Sequence, residues 1–138
     1  MIQSFNEDID FDLESREKIF SWLSDSIEKE VHEVGEINFI FCSDDYLLKV
    51  NQDYLSHDYY TDIITFDYRD DKIVNGDLFI SVDRVKDNAK ELKSSFNDEL
   101  HRVMVHGLLH IMGYGDKSPE EERLMRSKED FYLSLRSF

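Results

Sequence analysis

The chain has 138 residues, 41% of them hydrophobic and 13% aromatic, with five glycines and one proline, which excludes a disordered or low-complexity protein and predicts one domain over residues 1–138. Cys42 is the sole cysteine, which excludes an intrachain disulfide and a thiolate metal cluster; with no leader-like start and no run of about 18 apolar residues, a cytoplasmic protein with no membrane partner is expected. The net charge of −15 argues at first sight against a nucleic-acid partner, yet residues 1–83 carry 21 acids and 6 bases while residues 84–138 carry 10 of each, so the second part can still meet a polyanion.

Residues 2–9 read as a first strand. In "SREKIFSWLSDSIEKEVHEVG" the residues Ile19, Leu23, Ile27, Val31 and Val34 fall at helical spacing, with Asp12 or Ser15 as N-cap and Gly35 as the stop. "EINFIFC" is a buried strand. Ser43 with Asp44 and Asp45 opens a helix that carries Leu47, Leu48 and Val50 into "NQDYL". "TDIITFDY" is a strand, "DDKIVNG" a connection with a turn at Asn75 and Gly76, and "DLFISVD" the next strand. "RVKDNAKEL" reads as a short helix and "KSSFN" as a loop. Asn97 opens a longer helix that Gly113 and Gly115 end, and Ser118 and Pro119 start the last one. Strands alternating with helices predict an α/β (α+β) fold, a mixed sheet of about four strands with helices packed on it.

The chemistry lies in "HGLLHIMGYGDK", residues 106–117. Residues four apart on a helix are separated by about 40° around its axis, so His106 and His110 project side by side. Their helix is apolar on nearly every side, and two buried imidazoles without partners would cost roughly 1–3 kcal/mol each. A shared cation removes that cost; the competing reading is a core pair satisfied by backbone and tyrosine hydroxyls. Gly113 lets the chain fold back and brings Asp116 toward the same ion. Two nitrogens and one oxygen leave a position for water, as catalytic zinc sites do. His57 is the rival third ligand, and His32 and His101 are read as surface or structural. Position 107 is Gly, so the general base that an HExxH zinc protease carries beside its first histidine is missing.

"NQDYLSHDYYTDIITFDY", "NGDLFISVD" and "ELHRVMVHGLLHIMGYGD" together resemble the YbeY family of endoribonucleases and ribosomal RNA maturation factors, and the likeness covers most of the chain. The resemblance implies a metal-dependent endoribonuclease specific for single strands. Its role would be in maturing the 3′ end of small-subunit ribosomal RNA and in ribosome quality control, with the small subunit as partner and Zn²⁺ as the usual ion. Two positions depart from the family pattern. Asp116 stands where the family has a third histidine, which lowers the charge of a loaded site by one unit and suits harder ions such as Mn²⁺. Leu55 stands where the family has an arginine, so an anion-gripping guanidinium is missing.

His57, two residues beyond, is a candidate to compensate. Lys86, Lys90 and Lys93 on one helical face, and Arg102 one turn before His106, are candidates for phosphate contacts. Asp77 in the Gly-Asp strand is the general-base candidate that the resemblance offers. Two other functions fit the same residues: a non-catalytic ribosome-assembly factor whose metal clamps the last helices, and a metal-dependent hydrolase of another substrate.

Overall fold

The structure, a computed structural model, describes residues 1–138. In chain order the elements are β1 (Ile2–Asn6), α1 (Arg16–Lys29), β2 (Glu33–Cys42), α2 (Asp44–Leu55), β3 (Ile63–Asp67), β4 (Ile73–Ser81), α3 (Val82–Leu92), α4 (Phe96–Ile111) and α5 (Pro119–Ser134). One four-stranded sheet runs β1-β2-β4-β3. β1, β2 and β4 are parallel and β3 closes one edge antiparallel to β4. This is the mixed α+β architecture expected from the alternation of elements.

The period of two along β4 splits the core. Leu78 and Ile80 belong to a cluster of 24 buried residues that also takes in α1, α3, α4 and α5. Phe79, between them, packs against the smaller cluster of Cys42, Leu47, Val50 and Ile64 beneath α2. Trp22 donates from Nε1 to the Tyr132 carbonyl at 2.7 Å and so ties α1 to α5. No helix is long and apolar enough to cross a membrane.

Strand β1 ends at Asn6 and not at residue 9, β4 gives way to α3 at Val82, and three further boundaries differ from the sequence reading. Helix α1 stops at Lys29 instead of Gly35: Val31 turns to φ 60° and stands 70% exposed. Glu33 and Val34 are drawn into the sheet against Ile73 and Val74, because backbone groups there find ladder partners that a helix end could not offer. Asn75 and Gly76 are no turn; both lie inside β4, and the reversal falls earlier, at Asp71 with φ 53°. The N-cap of α4 is Ser95, whose hydroxyl accepts from Asp98 N, and not Asn97. Ser43 and Ser118 do cap α2 and α5, the latter in a capping box with Glu121.

Candidate metal centre

Helix α4 carries the site because it lies directly on the sheet. A Cβ at Gly107 would meet Ile63 Cδ1 at 2.8 Å and Thr65 Oγ1 at 3.2 Å, and would also clash with Leu78. Only a residue without a side chain allows that approach. Gly107 faces β3 and β4, while His106 and His110 stand partly exposed at the rim. At the end of α4, Gly113 takes φ 105° and the Tyr114 amide bonds the Leu109 carbonyl, a left-handed helix end that glycine supplies without strain. The Tyr114 hydroxyl then donates to Glu30 Oε1 at 2.6 Å. Asp116 is thereby held between a fixed helix end and the capped start of α5.

Asp116 Oδ2 lies 3.1 Å from His110 Nε2 and 3.5 Å from His106 Nε2. The three donor atoms all fall within 4.8 Å of one another. Two ligands about 2.0–2.1 Å from a common ion at the tetrahedral angle stand about 3.3 Å apart, so the two distances from Asp116 and the donor chemistry suit a divalent ion.

Behind the histidines lies a carboxylate that sequence inspection missed. Glu129 on α5, only 4% exposed, accepts at Oε2 from His106 Nδ1 at 2.6 Å and at Oε1 from Arg102 Nη1 at 2.9 Å. Burial alone would depress the His106 pKa, but the Glu129 hydrogen bond and the charges of Glu129, Asp116 and Asp62 outweigh it and raise it. Burial likewise opposes ionisation of Glu129, and the hydrogen bonds from His106 and Arg102 reverse that and lower its pKa. With Nδ1–H committed to Glu129, Nε2 is the nitrogen left for an ion. The signal for Glu129 in the sequence is faint: an acid among the buried positions Met125, Glu129 and Tyr132 of α5.

Two hollows meet at the donor set. One, of about 680 Å³, is lined by His106, His110 and Asp116 together with Leu55, His57, Tyr59 and Asp62. The other, of about 850 Å³, is lined by His106, Asp116, Arg123 and Arg126. Burial raises the Asp62 pKa, against the lowering effect of His106 and of backbone hydrogen bonds.

The remaining candidates fall out as follows. His57 lines the first hollow. Arg102 commits its guanidinium to Glu129 and, through Nη2, to Asp130 at 2.7 Å. Lys86 and Lys90 are exposed on α3 and line neither hollow. Asp77 accepts from Asn38 Nδ2 at 3.0 Å across the sheet and lines neither hollow. His101 is buried beside Trp22 and accepts from Arg136 Nη1 at 2.7 Å.

Residues 1–136 match the family model described as Endoribonuclease YbeY. The chain belongs to the YbeY family. Endoribonuclease YbeY of Cytophaga hutchinsonii is 55% identical over 135 residues, covering 97% of this chain and 94% of that protein. Endoribonuclease YbeY of Flavobacterium psychrophilum is 51% identical over 132 residues, covering 96% and 94%. The solution structure of TM1509 from Thermotoga maritima superposes with a TM-score of 0.70 at 27% identity, over 97% of this chain and 87% of that one. The family match therefore covers nearly the whole chain and not the motifs alone.

Proposed function

We propose that this chain is a metal-dependent endoribonuclease that cleaves single-stranded RNA and acts in maturing the 3′ end of small-subunit ribosomal RNA. The observation that carries the reading is the convergence of His106 Nε2, His110 Nε2 and Asp116 Oδ2 at the junction of two open hollows. Kinship to proteins named Endoribonuclease YbeY supplies the substrate class.

His106, His110 and Asp116 are assigned as ligands of one divalent ion, Zn²⁺ by donor type, with Mn²⁺ admitted by the carboxylate. A bound ion supplies polarisation of a phosphoryl oxygen and a lowered pKa for the attacking water. Glu129 fixes the His106 ring and its tautomer through Nδ1. Asp62, which shares the hollow with the three ligands, is assigned the proton of the attacking water, since burial raises its affinity for a proton. Arg123 and Arg126, on the other side of the ligands, are assigned to flanking phosphates in place of the missing family arginine.

The test is cleavage of a single-stranded oligoribonucleotide by the purified chain with and without chelator, followed by re-addition of Zn²⁺ or Mn²⁺. Chelator should abolish cleavage and one of the ions should restore it. His110→Ala should lose cleavage while its circular dichroism and urea midpoint stay close to those of the metal-free parent. Unfolding of that variant, with no cleavage in the parent to lose, would instead support a metal that clamps α4 to the segment before α5.

A further inference from the structure

We propose that His57 and Tyr59 form a stacking subsite for one unpaired nucleobase next to the scissile phosphate, an inference that rests on the RNA-cleaving reading above. Both rings line the hollow that contains His106, His110 and Asp116. They lie nearly parallel, 5.1 Å between centroids with 21° between planes, and the Tyr59 hydroxyl hydrogen-bonds His57 Nδ1 at 3.0 Å. Tyr59 is 57% exposed. A stacked pair facing water beside a reaction centre offers an apolar ring face to the next flat group that enters, and every nucleobase has such a face.

The pair is held in place before any ligand arrives. Asn51, inside the last turns of α2, is 1% exposed. Its Nδ2 donates to the Tyr59 carbonyl at 2.9 Å, and its own carbonyl accepts from the His57 amide at 3.1 Å. Gln52 Nε2 donates to Asp58 Oδ1 at 2.6 Å between those two anchors. The loop therefore presents both rings with little conformational entropy left to lose on binding.

Charge selects the base over the phosphate for this hollow. Lys117 is the one lysine or arginine among its lining residues, against the acids Asp62, Asp67 and Asp116. The arginines lie across the ligands in the other hollow. A strand would thus cross the site with a base on the Tyr59 side and phosphates on the Arg123 and Arg126 side. A base inside a duplex has both faces covered by its neighbours, so the subsite also accounts for a preference for single strands. In this chain Leu55, where the family pattern has a phosphate-gripping arginine, lines the same hollow and adds an apolar side chain to it.

The experiment is fluorescence anisotropy of a labelled 10-mer oligoribonucleotide in chelator, so that nothing is cleaved, with the parent and the variants Tyr59→Ala, Tyr59→Phe and His57→Ala. Abasic sites are then placed singly along the RNA. Tyr59→Ala should weaken binding about tenfold, the size of one lost stacking contact, and Tyr59→Phe should stay within about twofold. In the parent, one abasic position should cost about the same tenfold, and at that position Tyr59→Ala should add nothing further. Equal binding by Tyr59→Ala, or a full further loss on that abasic RNA, overturns the subsite. Binding that depends on Tyr59 without cleavage on adding Zn²⁺ or Mn²⁺ would sink the nuclease reading and leave the subsite standing; cleavage indifferent to Tyr59 would do the reverse.

Discussion

Glu129 Oε2 sits 2.6 Å from Nδ1 of His106, and the same carboxylate receives Arg102 at 2.9 Å. A histidine that donates to a carboxylate is a better ligand through its other nitrogen, and removing such a partner typically costs 10–100-fold in metal affinity. Glu129→Gln keeps an acceptor for Nδ1–H but loses the charge, so Zn²⁺ affinity measured by chelator competition should fall about tenfold or more. Glu129→Ala removes the acceptor of His106 Nδ1 and of Arg102 Nη1, and leaves Arg102 paired with Asp130 alone. Its metal-free stability in urea should drop by about 3 kcal/mol, the lower end for a broken buried pair because Arg102 is partly solvated.

Residue 116, proposed above as a ligand, is Asp where the family pattern that the motifs resemble has a third histidine. Imidazole favours Zn²⁺ and carboxylate favours Mn²⁺, so Asp116→His should raise the ratio of Zn²⁺ to Mn²⁺ affinity by at least about tenfold. Isothermal titration with each ion reads that ratio directly. An unchanged ratio would mean that residue 116 does not touch the ion.

Much of the centre was legible because it is local. His106 and His110 are four residues apart on one helix, Asp116 follows within two turns of chain, and Gly113 and Ser118 mark the ends that hold it. What sequence could not show depends on packing between distant elements. Glu129 reaches His106 from 23 residues away, and Arg102, which spacing alone offered to phosphates, meets that same acid. The end of α1 was misplaced because Val31 and Val34 continue the helical spacing, whereas pairing of residues 33 and 34 with β4 decides their state. Asn75-Gly76 has the composition of a turn and becomes strand for a similar reason: Gly76 pairs with Ile37 on one side and Asp67 on the other, while the Asn75 carbonyl accepts from the Tyr68 amide and its side-chain oxygen from the Glu36 amide.

Gly107 marks where α4 meets the sheet, and this is also why no acid can stand beside His106 in the manner of a zinc protease. A methyl group there would have to displace Leu78 and Ile63. Gly107→Ala should therefore lower the urea unfolding free energy by about 1–3 kcal/mol, the usual cost of overpacking, even though alanine is the better helix former. A variant as stable as the parent would show that α4 stands further from β3 and β4.

His101 makes stability depend on acid independently of the metal ligands. Burial and, to a lesser degree, the nearby Arg136 charge depress its pKa from 6.5 to about 4. Between those values the unfolded chain binds a proton that the folded chain refuses, so the contribution is fully present above pH 6.5. It is lost as pH falls toward 4, by on the order of 3 kcal/mol. The carboxylates Glu30 and Glu129, whose pKa values are lowered by their hydrogen bonds against the opposing effect of burial, begin to lose their stabilisation as pH falls through the ordinary carboxylate value and lose it fully only below their lowered pKa values, a loss common to parent and variant. His101→Gln keeps an acceptor for Arg136 and cannot titrate. The difference in urea unfolding free energy between parent and His101→Gln, followed from pH 7 to pH 4 in metal-free buffer, should shift steadily against the parent as pH falls. A difference that stays flat across that range would mean that His101 is hydrated in the folded protein and takes up its proton as it does in the unfolded one.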